Sequence, residues 1–225
     1  LSLGEYSALQ AAGVFDAETA VNLVTRRAQE MHRAAAGVDC KMSAVMNLDR
    51  ESLQECCDQA ADKGIVQIAN LNCPGQIVIA GEAAAVDRAS ELALEKGARR
   101  CVPLPVSGPF HTKFMEPAGK ALEKVFAETK FHPMNYPVLF NAVGREKSEE
   151  ETVASLLVRQ VSSSVHFEDS IKAMHAAGVD TIIEIGPGKA LSGFVRKTCR
   201  EIKTINIESW EDMNKAVSDL KGEEA

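Results

Sequence analysis

The residues best able to do chemistry come first in the chain, in Ser2-Leu3-Gly4-Glu5-Tyr6-Ser7-Ala8-Leu9. Ser2 and Gly4 match the second half of a Gly-x-Ser-x-Gly elbow, a sharp strand-to-helix turn that lifts a serine hydroxyl clear of the backbone. The turn needs small neighbours because the helix start is forced close to the strand end. It also aims the Leu3 amide, in the first turn of the helix, at the place where an oxyanion would form. A nucleophile needs a base, and of the five histidines His111 stands where loops carry catalytic groups. It follows Gly108-Pro109 and precedes a helix expected from about Glu116. His32, His132, His166 and His175 read as surface or packing residues. The third candidate is Arg27. On a 3.6-residue period it falls in the middle of an apolar stripe of Ala20, Leu23, Val24, Ala28 and Met31, while Arg26 and Arg33 fall on the polar side. A charge aimed at the core needs an anionic partner. The alternatives are a structural salt bridge or a stem that runs along the core to a wet head.

These groups must be positioned by an α/β framework. Glu5–Ala12 reads as the helix after the elbow, closed by Gly13, and Asp16 caps a second helix to about Ala36. From 39 to 106 the expected order is strand Met42–Leu48, helix Ser52–Lys63, strands Ile65–Leu71 and Gln76–Ala80 about a Pro74-Gly75 turn, helix Glu82–Lys96 and strand Arg100–Pro105. That βαββαβ order is the one of a ferredoxin-like unit, able to be inserted into a larger domain and to form one wall of a cleft. Residues 1–38 and 107–225 would then make the larger domain. There a strand Tyr136–Phe140 ends at Asn141, and a helix Glu149–Val161 carries Gln160 on its apolar side with Leu156 and Leu157. A helix Glu168–Ala177 and a strand Thr181–Ile185 lead to the turn Gly186-Pro187-Gly188-Lys189. That turn lacks the spacing of a phosphate loop. A helix through Cys199, a strand Thr204–Ile207 and a terminal helix from Trp210 to the acidic end Glu223-Glu224 follow.

With 225 residues, 45% hydrophobic and 25% charged, the chain has the composition of a soluble globular protein with a real core. No apolar run approaches the ~20 residues of a membrane span, and no signal peptide opens the chain. A net charge of −7 argues against nucleic acid as the main partner. The six cysteines show no Cys-x-x-Cys pairing or metal-ligand spacing, and adjacent Cys56 and Cys57 are poor disulfide partners. Reduced thiols in a cytoplasm, and no metal, are expected. The start in mid-motif without an initiator methionine predicts a piece of a longer protein.

Taken together in one order, these segments resemble the malonyl-CoA:acyl carrier protein transacylase family. The resemblance rests on Ser2–Leu9, Leu23-Val24-Thr25-Arg26-Arg27 and Ala69-Asn70-Leu71-Asn72-Cys73-Pro74-Gly75-Gln76. It continues through Pro105-Val106-Ser107-Gly108-Pro109-Phe110-His111, Gln160 before Ser164-Val165, and Glu184-Ile185-Gly186-Pro187-Gly188. It implies an α/β-hydrolase-like large domain with the ferredoxin-like insert. The implied reaction is a two-step transfer of malonyl from coenzyme A, through Ser2, to the phosphopantetheine thiol of acyl carrier protein, without a bound cofactor. His111 would act as base and then acid, its ring oriented by the carbonyl oxygen of Gln160 rather than by a carboxylate. Arg27 would pair with the free carboxylate of malonate, and the Leu3 amide would supply one half of an oxyanion hole. The resemblance adds Phe110 and Asn70 as substrate-binding residues, with Phe110 selecting malonyl over larger extenders. The second oxyanion amide would come from a Gly-Gln-Gly loop in the family's N-terminal segment, which this chain does not contain. The carrier, acidic in this family, would meet a local basic patch of Lys113, Lys189, Arg196 and Lys197. Departures are Leu1 where histidine is usual, Ala28 for a common glycine, Cys73 for a serine and Ser164 for a proline. Competing readings are an acyltransferase domain of a polyketide synthase, a serine esterase on the same fold, and a non-catalytic carrier-binding module.

Overall fold

The computed structural model describes residues 1–106 and 108–222. Ser107 of the Gly-Pro-Phe-His motif and the acidic end Glu223-Glu224 lie outside the described residues. The chain divides into two compact units, Leu1–Ser170 and Ile171–Ala225.

In the first unit, α1 (Gly4–Ala11) is followed by α2 (Ala17–Ala35), whose first turn is capped where expected by the Asp16 carboxylate accepting from the Thr19 N–H at 2.8 Å. The βαββαβ order then appears in full: β1 (Cys40–Met46), α3 (Arg50–Gln59), a 3₁₀ turn Ala60–Lys63, β2 (Val66–Cys73), β3 (Gln76–Glu82), α4 (Ala83–Glu95) and β4 (Arg100–Pro103). A 3₁₀ turn Lys113–Met115, α5 (Glu116–Ala127), α6 (Val153–Gln160) and β5 (Val165–His166) follow, and α7 (Phe167–Ala176) runs across the division after Ser170. The sheet order is β4-β1-β3-β2-β5, antiparallel except for the β2–β5 pair.

Period-two alternation gives this sheet two apolar faces. Val45, Ile68, Ile77 and Ile79 meet Leu53, Cys56, Val86, Ala89 and Leu92 of α3 and α4. Met42, Ala44, Ala69, Val78 and Ala80 face the other way, toward Leu104 and Phe110. A second core, from Tyr6, Leu9, Leu23, Met31, Met115, Leu122, Phe126, Phe140, Leu156 and Leu157, joins α1, α2, α5 and α6. Phe110 packs against this core as well, so the residue before His111 is wedged between the sheet and the helices.

In the second unit β6 (Thr181–Ile185), α8 (Ala190–Thr198) and β7 (Lys203–Ile207) form a parallel βαβ, and α9 (Trp210–Lys221) closes the chain. The Glu184 carboxylate accepts the N–H groups of Leu191 and Ser192 at 3.0 and 2.8 Å, so it satisfies the free amides that open α8.

Three expectations are corrected. Tyr136–Phe140 forms no strand; only a single bridge, Phe140 to Arg145, is present. A strand needs a ladder partner, and this segment has none among the described residues. The helix expected from Glu149 begins at Val153, because Thr152 and Ser155 form a reciprocal cap and Glu151 is drawn away to Arg145 at 2.8 Å. The α2 stripe that is buried runs Leu23, Arg27, Met31, Ala35, whereas Ala28 is exposed. Four-residue steps keep these side chains in line, and Ala28 lies one step around the helix.

Candidate active site

Ser2 ends up with φ of 55° and His111 with φ of 62°. Among the described residues the one other non-glycine with positive φ is Asn47. Left-handed backbone at a non-glycine residue costs roughly 1–3 kcal/mol and persists only where the surroundings enforce it. Here the surroundings do so on both sides. The Ser2 N–H donates to Asn141 Oδ1 at 2.7 Å, and the Ser2 carbonyl accepts from Gln160 Nε2 at 3.0 Å. Below His111, Gly108 has no room for a side chain: a Cβ there would sit 2.8 Å from the Phe110 ring and 2.9 Å from Ala35 Cβ.

The end of α6 receives His111. The last carbonyls of a helix have no partner within it, and two of them serve the histidine. Its N–H donates to the Val161 carbonyl at 3.2 Å, and its Nδ1 lies 3.0 Å from the Gln160 carbonyl. A carbonyl can only accept, so Nδ1 carries the proton and Nε2 keeps the free lone pair. Nε2 lies 2.9 Å from Ser2 Oγ. Burial is the main force on the ring, followed by the opposing pull of the Gln160 carbonyl and then the nearby Arg27 charge. The net effect is a pKa lowered to about 4 from the ordinary 6.5. Below that value the imidazolium cannot take the serine proton; above it the neutral ring can. The rate of Ser2 modification is therefore expected to be level from pH 6 to 8, with its acid limb near the lowered value. A limb centred near 6.5 would show that this ring is solvated or is not the base.

Arg27 is 7% exposed. One of its nitrogens, Nη2, donates to Ser2 Oγ at 2.7 Å and to Gln160 Oε1 at 3.2 Å, and its guanidinium lies 5.8 Å from the centre of the Tyr6 ring. Its Nε is buried with no acceptor among the described residues. No carboxylate makes an ion pair with it there; the nearest buried acid, Glu5, bonds to Asn141 instead. A core-facing guanidinium is thus held beside the serine with donor capacity to spare.

The structure brings Ser2, Arg27, His111 and Gln160 into one hydrogen-bonded group. Leu3 adjoins it, its N–H without an acceptor among the described residues. Phe110 is half-buried next to His111. Asn70 is buried in β2, its backbone paired in register with Val165 of β5. Lys113 is exposed in the first unit, and Lys189, Arg196 and Lys197 are exposed on and around α8 in the second. Sequence reasoning missed Asn141 as a site residue, and Glu5 with it. Their contacts span 139 and 136 residues, so no local spacing could have revealed them. The second unit also gathers His175, Cys199 and Glu201, whose ligand atoms lie within 4.8 Å of one another. There the Cys199 thiol donates to Glu201 at 3.2 Å, and burial raises its pKa.

No helix among the described residues is long and apolar enough to cross a membrane, and all six cysteines are unbridged. The acyl transferase domain family matches residues 1–221. The malonyl CoA-acyl carrier protein transacylase of Bacillus subtilis (strain 168) is 44% identical over 223 residues, which span 99% of this chain and 70% of that protein. Among solved structures, the malonyl CoA-acyl carrier protein transacylase of Clostridium perfringens ATCC 13124 superposes with a TM-score of 0.94 at 40% identity, covering 99% of this chain and 70% of that one. A malonyl-transacylase solved in complex with its type II PKS acyl-carrier protein gives a TM-score of 0.93 at 34% identity, covering 97% and 71%. On this evidence the chain belongs to the acyl transferase domain family, among the malonyl CoA-acyl carrier protein transacylases.

Proposed function

We propose that this protein transfers malonyl from malonyl-CoA to the phosphopantetheine thiol of an acyl carrier protein, in fatty acid biosynthesis, through an ester on Ser2. The observation that carries the reading is the buried Arg27, which holds unspent donors beside a serine already bonded to a neutral histidine. An esterase has no use for such an arginine, whereas a substrate acyl group that ends in a carboxylate does. In the first step Ser2 Oγ gives its proton to His111 Nε2 and attacks the thioester carbon. The carbon–sulfur bond breaks, and the imidazolium returns the proton to the departing coenzyme A thiolate. In the second step His111 takes the proton of the carrier thiol, the thiolate attacks the Ser2 ester, and Oγ recovers the proton as it leaves. The Leu3 N–H faces the developing oxyanion in both steps. The chemistry is supplied by side chains and backbone, with coenzyme A thioester and carrier as the only other participants.

The same reading extends to the architecture: an α/β-hydrolase-like domain from 1–38 and 107–225, interrupted by a ferredoxin-like insert at 39–106, in a cytoplasmic enzyme. The β4-β1-β3-β2 strand order supports the insert, and Phe110, packed on both cores, sits where the insert could bear on substrate size. The match to a transacylase solved with its carrier supports the partner. Mixed with malonyl-CoA and a carrier bearing phosphopantetheine, the protein is expected to form malonyl-carrier, and none with the carrier lacking that arm. Lys113→Glu should raise the KM for carrier and leave that for malonyl-CoA unchanged, because a local exposed charge steers an acidic partner. Malonyl release as free acid, with the carrier unmodified, would establish a hydrolase instead.

A further inference from the structure

The left-handed backbone of Ser2 has to be held from both ends, and one of those holds has its own anchor. Asn141 Oδ1 accepts the Ser2 N–H at 2.7 Å. Its Nδ2 donates to Glu5 Oε2 at 2.5 Å, and its backbone N–H donates to the same oxygen at 2.7 Å. Because a carboxylate can only accept, Glu5 decides which way the Asn141 amide faces: nitrogen toward Glu5, oxygen toward Ser2. Asn141 is anchored a third time, its carbonyl accepting the His166 N–H at 2.8 Å. Glu5 and Asn141 are both buried, at 3% and 8% exposed.

We infer that Glu5 is a positioning residue for the nucleophile, acting through Asn141 to hold Ser2 in the strained turn that places Oγ within reach of His111. Without the anchor the Asn141 amide is free to turn over, and a nitrogen then faces the Ser2 N–H, donor against donor. The serine loses its support and relaxes toward negative φ, which carries Oγ away from Nε2. A displacement of about 1 Å at a reacting atom costs on the order of 10²-fold in rate. The inference rests on Ser2 being the acyl acceptor, and its test is arranged so that the two fail separately.

Isosteric changes keep the buried volume. Asn141→Asp retains an oxygen for the Ser2 N–H but replaces the donor toward Glu5 by a second acceptor. Glu5→Gln retains an oxygen for both Asn141 donors. Glu5→Met keeps most of the volume and removes the acceptor from both. Two rates are read in each variant: acylation of Ser2 by malonyl-CoA, and phosphonylation of Ser2 by a fluorophosphonate, which contains no malonyl group. Asn141→Asp and Glu5→Met are each expected to slow both about 10²-fold with the KM for malonyl-CoA unchanged, and Glu5→Gln to remain near the native rates. A purely structural role would lower the melting temperature without this pattern of rate loss and retention. Native rates in Asn141→Asp or in Glu5→Met, or a Glu5→Gln variant as slow as Glu5→Met, would overturn the inference. Failure of malonyl-CoA to label the native protein, with the fluorophosphonate series behaving as stated, would instead overturn the proposed reaction and leave the positioning role standing.

Discussion

His111→Ala is expected to slow acylation of Ser2 by roughly 10²–10⁴-fold, the usual cost of losing a positioned general base. The geometry makes the assignment specific. With Nδ1 bonded to the Gln160 carbonyl, the ring has one tautomer to offer, and its free lone pair points at Ser2 Oγ. The lowered pKa keeps that lone pair available at neutral pH. Burial could have made the histidine a poor base by forbidding the imidazolium that forms in the reaction. The Gln160 carbonyl, at the negative end of α6, offsets part of that cost. Stopped-flow acylation, with the binding step resolved from chemistry, checks the prediction. A loss confined to KM would mean that His111 binds substrate and the proton goes elsewhere.

Arg27→Ala is expected to lower kcat/KM for malonyl-CoA roughly 10²–10³-fold while leaving acetyl-CoA far less affected. Breaking a buried charge pair costs about 3–5 kcal/mol, and each ~1.4 kcal/mol is a factor of ten in rate. Arg27 also donates to Ser2 Oγ, so its removal disturbs the nucleophile for every acyl group. That common loss cancels in the malonyl-to-acetyl ratio. The ratio is therefore the quantity to measure, and a fall of similar size for both substrates would reduce Arg27 to a structural donor. Lysine should not rescue the ratio, since an ammonium cannot reproduce the paired donors of a guanidinium.

Much of this was legible in the residues themselves. The Asp16 cap, the βαββαβ order and the placement of Arg27 on a buried stripe follow from local periodicity and capping, which are properties of neighbouring residues. The site was legible only as separate pieces. Nothing in the spacing of Ser2, Arg27 and His111 states that Arg27 touches the serine oxygen, or that Gln160 bonds to all three, to Ser2 and Arg27 through its side chain and to His111 through its backbone. Glu5 was visible only as one letter of the elbow and Asn141 only as the end of an expected strand. That strand was over-read because alternation reports a half-buried extended segment whether or not a neighbour exists to pair with it. Val165–His166 shows the opposite case: two residues become a strand because β2 lies alongside. Asn70, expected beside the substrate, contributes its backbone to that same pairing.

The most direct test is the intact mass of the protein before and after exposure to malonyl-CoA, followed by mapping of the modified peptide. The account predicts a gain of one malonyl group on the peptide that contains Ser2, its loss on adding a carrier protein with a free phosphopantetheine thiol, and no gain in Ser2→Ala. Malonyl that remains on Ser2→Ala, or that maps to another residue of the native protein, would contradict it.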